Sequence, residues 1–400
     1  MSRDSELFDV IVVGAGIIGL STAYHVRNCL PGDKKVLLLD KFHWPHSRGS
    51  SFGATRMTRY SYDMPAYGAL LSDTFDRWAE LQADSGIDLY KETGMLMIAP
   101  TKSDYYKNFV ATAKLHNLEH ELLSRNQVRH RYPQFRIPRG YGSMYQRKGG
   151  LLCGTKAMQA FMALFRSNGG IFRDNEELVD VVAPSAGRRP VKIRTTKQEY
   201  TARIGVVLAL GPWAPDFLKS KFNLSLPIEP QKTVYCYWQT KTDIYNASKG
   251  SPCLLARYND VTYFMKASWE YDGQVQVGLH MGVPSSPNTR DDPAKVATLE
   301  STYIRRAQQF GRQFLPDVDM RAPVLVDSCM YTSNKLDKGF VLDTHPKFKN
   351  VVIATGFSGH GFKLAPIVGE IVGNLVLNRS QAPNVDMQAF SIDRFTKSKL

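Results

Sequence analysis

Three glycines near the N-terminus, Gly14, Gly16 and Gly19, are spaced as G-x-G-x-x-G. That spacing lets one glycine make a tight turn, a second admit a pyrophosphate against bare backbone, and a third bring a helix close to a strand. Asp40 stands 21 residues beyond Gly19, where a carboxylate accepts from a ribose hydroxyl. The pattern indicates a dinucleotide and does not separate NAD from FAD. A loop of small residues, 46–59, includes Ser50 and ends in Arg56 and Arg59, whose planar forks suit a carboxylate. Far along the chain, Gly356, Gly359, His360, Gly361 and Lys363 fall within eight residues. Backbone N–H groups and donors gathered so tightly suit a place where negative charge develops during a reaction.

These residues need particular elements to hold them. Residues 8–13 form an apolar run of the kind a buried parallel strand requires, 20–30 read as a helix, and 36–39 as a second buried strand ending at Asp40. A second patch of this character spans 152–213, with a helix near 156–167 and strands at 177–182, 191–195 and 206–210. The third, 351–377, has a strand, the Gly-rich loop and an amphipathic helix. Alternating runs at 232–239 and 274–280 predict antiparallel strands with one face covered, and 293–314 a long helix. The expected architecture is α/β. A Rossmann-like dinucleotide-binding domain is assembled from 1–85, 146–220 and 320–400. A substrate domain on a largely antiparallel sheet with helices comes from 86–145 and 221–319.

Four hundred residues with 43% hydrophobic and 22% charged content favour a two-domain globular protein over a disordered or fibrous one. The net charge is +14, yet the basic residues are scattered and no block reaches polybasic length, so anionic small ligands are expected and nucleic acid is not. No apolar run is long enough for a membrane span; the nearest, 367–377, carries Glu370 and Asn374. Five cysteines without C-x-x-C or ligand spacing argue against a disulfide framework and a metal site. The N-terminal residues carry no apolar signal core. The sequence ends in Ser398, Lys399 and Leu400, the tripeptide read by the peroxisomal import receptor, which predicts a peroxisomal protein.

With the loop ending in Arg56 and Arg59, the run Cys329, Met330, Tyr331, Thr332 and the motif from Gly356 to Lys363, the chain resembles a known family over nearly its whole length. It is that of the monomeric sarcosine oxidases and peroxisomal sarcosine (L-pipecolate) oxidases, FAD-dependent amine oxidases of the D-amino-acid-oxidase-like group. The resemblance implies FAD attached covalently through Cys329, with contacts from Gly14, Gly16, Gly19, Asp40, Ser50, Arg56, Leu178, Gly356, Gly359 and His360. It implies Arg59 and Lys363 as the clamp on a substrate carboxylate and Tyr331 and His280 as further pocket residues. It further implies a secondary α-amino acid as substrate, oxygen as acceptor, hydrogen peroxide as product, and a monomer. His280 shares a strand face with Gly278, which leaves room for a ligand. The family typically carries a lysine four residues before this histidine, where the present chain has Gln276. A neutral amide stabilises developing superoxide less well than a cation, so an FAD-dependent dehydrogenase using another acceptor is the alternative, with a non-catalytic flavin-binding protein behind it. Lys266, one strand earlier, is a candidate substitute if strand parity turns it inward.

Overall fold

The computed structural model describes residues 5–184 and 190–397. Its first strand, Glu6–Val13, is buried from Phe8 onward and pairs in parallel with Val36–Leu39 on one side and Glu199–Leu208 on the other. Ile171–Arg173 and Val351–Thr355 extend the parallel layer at its two flanks. Such strands are apolar throughout because helices cover the layer. The chain leaves the first strand toward one neighbour and later returns on the other. The carboxyl end of that strand therefore opens a crevice, where doubly wound sheets bind their ligands.

Ile17–Cys29 packs against both Gly154–Ser167 and Ala365–Leu377. The last of these, expected to be amphipathic, is not. Ten of its 13 residues are buried, since it lies against both the first helix and the parallel layer. Among the described residues no helix is long and apolar enough to cross a membrane.

The second layer runs in the order Leu325–Asn334, Ile228–Gln239, Gln274–Leu279, Val261–Lys266, Cys253–Tyr258, Met95–Pro100, Tyr141–Gln146, Glu121–Leu123. It is antiparallel except where Met95–Pro100 lies beside Cys253–Tyr258. Helix Pro293–Phe314 covers one face, burying Tyr303, Phe310 and Phe314 with Val234, Cys236, Trp238, Met265, Val275 and Val277. A strand has a side-chain period of two, so the intervening positions must face the other way. These are Thr233, Tyr235, Phe264, Lys266, Gln276 and, at the strand's end, His280, and all of them line the crevice.

Sheet membership shifts one expected boundary. Leu325–Asn334 follows residue 320 but pairs along its length with Ile228–Gln239, opposing Cys329 to Thr233 and Tyr331 to Gln231. The strand therefore belongs to the antiparallel layer, and by pairing the return to the parallel layer comes after it. A small sheet of Thr55–Thr58, Gly150–Cys153 and Tyr90–Glu92 brings Arg56 and Arg59 to the junction of the two layers. Ser398, Lys399 and Leu400 lie outside the described residues.

Candidate active site

A cavity of about 760 Å³ runs from the first Gly-rich turn to the antiparallel sheet. At the first end, Gly14 has φ +102°, and a Cβ there would sit 2.3 Å from the carbonyl oxygen of Ala209. A side chain would be both strained and obstructed. Gly19 does not line the cavity; a Cβ on it would strike the Gly14 carbonyl oxygen at 1.8 Å, so its part is helix–strand packing. Asp40 is buried, and its carboxylate accepts from Ala15 N at 2.7 Å and Phe42 N at 2.9 Å, with His46 Nε2 3.2 Å away. It holds the turn in shape while still facing the cavity, and a carboxylate has acceptor sites beyond those two. Ser51, rather than its neighbour Ser50, accepts from Ile17 N at the helix start, at 3.0 Å. Ser50, Leu178 and Gly16 line the wall. A turn bare of side chains, a helix N-terminus beyond it and an elongated cavity fit the dinucleotide end of FAD.

At the other end the walls carry charged side chains. Arg59 lies within the cavity wall with its guanidinium 4.0 Å from the Tyr62 ring centroid and 5.3 Å from that of Phe109. Its Nε has no hydrogen-bond partner, and no described ion pair includes it. Among the described residues Lys363 Nζ has one hydrogen-bond acceptor, the His360 carbonyl oxygen, at 3.4 Å. Burial, and then Arg59, Arg56 and Lys266, push its ammonium well below the ordinary lysine value. Lys266 Nζ donates to the Thr55 carbonyl oxygen at 2.6 Å. Burial and the nearby Arg56 depress it to about 7. It is the cross-strand partner of Gln276, whose own Oε1 is buried without a partner. The parity question is thus answered: lysine and glutamine face the cavity side by side.

Cys329 is unpaired and lines the cavity; burial raises its thiol pKa, while Arg56 and Lys266 pull it back down. The His280 ring stands 5.6 Å from that of Tyr331. The ring is open to the cavity, and desolvation by the surrounding protein with Arg59 and Lys363 lowers it to about 3. Burial pushes the Tyr331 hydroxyl above its ordinary value, so it stays a donor. Gly359, at φ +76°, touches both rings: a Cβ would lie 2.5 Å from Tyr331 and 2.8 Å from His280.

Two expectations change and one is narrowed. Gly356 turns the chain at φ +73° but does not reach the cavity. Of the two roles open to His360, cation or neutral donor, burial and then Lys363 favour the neutral one by lowering its pKa well below the usual histidine value. Its Nε2 is 3.1 Å from the Lys338 carbonyl oxygen and its Nδ1 3.3 Å from the Tyr62 hydroxyl. The space above Gly278 is not free for a ligand, since the Phe264 ring fills it, 2.3 Å from where a Cβ would be. Sequence reasoning missed Asp63, Tyr105 and Arg257 in the cavity wall, and Tyr62 packed behind Arg59. None of them carried a motif or spacing in the sequence; Arg257 reaches the wall because its strand pairs with the one that presents Lys266.

The comparisons agree with this geometry. The family model described as FAD dependent oxidoreductase (DAO) matches residues 9–375. A peroxisomal sarcosine oxidase of Homo sapiens is 35% identical over 99% of this chain and 98% of its own. A monomeric sarcosine oxidase of Bacillus sp. is 30% identical, over 98% and 97% respectively. Among solved structures, NikD, an unusual amino acid oxidase essential for nikkomycin biosynthesis, shares the fold. Its TM-score is 0.81 at 23% identity, covering 97% of this chain and 98% of that one. A chain matched at this level along nearly its whole length, with a cavity of this form, belongs to the DAO family of FAD-dependent oxidoreductases in its sarcosine oxidase branch, and is an enzyme acting on CH–NH bonds.

Proposed function

We propose that the protein oxidises secondary α-amino acids, with sarcosine and L-pipecolate as leading substrates, carries its FAD covalently on Cys329, passes electrons to oxygen and works as a monomer in the peroxisome. The observation that carries the substrate class is Arg59: a guanidinium deep in the cavity wall, with an unpaired Nε and no described ion-pair partner. Burial opposes its charge while Tyr62, Tyr105 and Asp63 more than offset that, so the guanidinium stays charged, and a substrate carboxylate would supply the direct ionic partner it lacks among the described residues. Lys363 completes the clamp. Its depressed ammonium regains a proton's stability once an anion arrives beside it. The same positive surroundings disfavour an ammonium on the substrate, so the amine is held neutral, with His280 uncharged and Tyr331 protonated alongside.

FAD supplies the two-electron oxidation of the C–N bond to an imine, which water hydrolyses, and the reduction of oxygen to hydrogen peroxide. Cys329 would tether it: burial raises the thiol pKa, and Arg56 and Lys266 act in the opposite direction, toward the thiolate. Lys266 favours oxygen over another acceptor: it brings to the neighbour of Gln276 the positive charge that the amide lacks. The dehydrogenase reading rests on Gln276 alone. Location is supported by the names of the human and mouse relatives, both peroxisomal sarcosine oxidases, and by Ser398, Lys399 and Leu400 as the segment an import receptor would read.

Two assays test the reading. Purified holoenzyme is offered sarcosine, L-pipecolate and primary amino acids with peroxide detection, and is separately denatured in acid. Peroxide from the secondary amino acids and yellow colour retained on the polypeptide are expected. Flavin that washes away from denatured protein contradicts the tether, and reduction by substrate without peroxide favours the dehydrogenase.

A further inference from the structure

We propose that the preferred substrate is a secondary amino acid bearing a second carboxylate, received by Arg257; this rests on the amino-acid oxidase reading above. Arg257 lies on Cys253–Tyr258, directly opposite Thr262, and lines the same cavity as Arg59. Its Nη1 donates to Thr262 Oγ1 at 3.3 Å, and its guanidinium stands 5.6 Å from the Tyr105 ring centroid. Tyr105 packs on Phe109 at 4.8 Å between centroids, and Phe109 in turn carries Arg59 at 5.3 Å. One aromatic pair therefore has two guanidinium groups beside it, Arg59 and Arg257, both in the wall of the same cavity.

Arg257 has one described ion-pair partner, Asp260, at 3.8 Å. The Asp260 side chain is fully exposed, so water and salt screen that pair and the guanidinium remains available to a ligand. Lys338 and Lys363 line this end as well, and all four cations depress His280. Asp63 is the acid among the wall residues at this end, whereas Asp40 and Glu177 belong to the nucleotide end. A monocarboxylate together with Asp63 leaves the cations in excess. A dicarboxylate brings the two signs closer to balance, and electrostatic complementarity of this kind selects one ligand over its neutral analogues.

The test compares sarcosine with N-methyl-L-aspartate and iminodiacetate in the holoenzyme. We expect kcat/KM for one of the dicarboxylates to exceed that for sarcosine by roughly tenfold, and Arg257→Leu to lower the dicarboxylate-to-sarcosine ratio by about the same factor, with Arg257→Lys recovering part of it. Should the leucine variant not fold, the unaltered enzyme still decides. Succinate, which cannot be oxidised at an amine, should perturb the flavin spectrum at roughly tenfold lower concentration than acetate. Turnover of sarcosine without any dicarboxylate preference overturns this inference and leaves the oxidase reading standing. Reduction by no secondary amino acid at all sinks both.

Discussion

The two ends of the cavity are built in opposite ways. The nucleotide end is made by backbone: Gly14 at the strand terminus, the start of Ile17–Cys29, and an acid, Asp40, whose oxygens hold Ala15 and Phe42 N–H groups. None of its side-chain polar atoms is buried without a partner among the described residues. The substrate end is made by side chains from separate segments: Arg59 after the small sheet, Lys266 and Gln276 on adjacent strands, Cys329 and Tyr331 on another, and Lys363 after the Gly-rich loop. There the polar groups are left wanting, with Arg59 Nε and Gln276 Oε1 buried and unpaired. A satisfied site confers shape. An unsatisfied one stores an electrostatic demand that an arriving anion meets, so substitutions at the first end should act on cofactor retention and at the second on turnover.

The largest effect that would break this division is at Gly14. Gly14→Val puts a side chain where φ is +102° and a carbonyl oxygen lies 2.3 Å from Cβ, and should yield colourless protein, measured as the ratio of visible to ultraviolet absorbance. Next, Arg59→Met should retain FAD yet lower kcat/KM for sarcosine by about a thousandfold, the scale expected for losing a buried charge-assisted pair. Loss of FAD from that variant would merge the two ends into one. Smaller again, Lys266→Met should slow reoxidation of reduced enzyme by air roughly tenfold or more. In the unaltered protein that rate should fall as pH rises through about 7, where Lys266 loses its proton, and the variant should lack this dependence. The smallest concerns stability. Burial keeps His360 neutral, so below about pH 6.5 the unfolded chain binds a proton that the folded one refuses, and stability falls as pH drops. His360→Gln should flatten that slope in denaturant titrations; an unchanged slope would assign it to other groups.

The same contrast explains what was legible in the sequence. The nucleotide end lies within one local unit, so Gly14, Gly16, Gly19 and Asp40 could be read from spacing, and the strands 36–39 and 191–195 and helix 293–314 fell where periodicity put them. The substrate end depends on strands that meet only in the folded sheet. Parity alone could not say that Lys266 faces inward until its pairing with Gln276 was known. Nor could it show that the bare backbone at Gly278 is filled by Phe264, or that strand Leu325–Asn334 joins the antiparallel layer. Helix Ala365–Leu377 was expected to be amphipathic and is buried instead: Arg77 meets Glu370 at 2.8 Å, and Asn374 is buried with its Oδ1 3.4 Å from His25 Nε2 on the first helix.

The account turns on an anion binding beside Arg59. Acetate titrated into the oxidised holoenzyme, followed through the flavin absorbance, measures that binding without any redox step. A saturable spectral change that disappears, or weakens at least roughly a hundredfold, in Arg59→Met is the predicted result. Equal acetate affinity in the two proteins would contradict it.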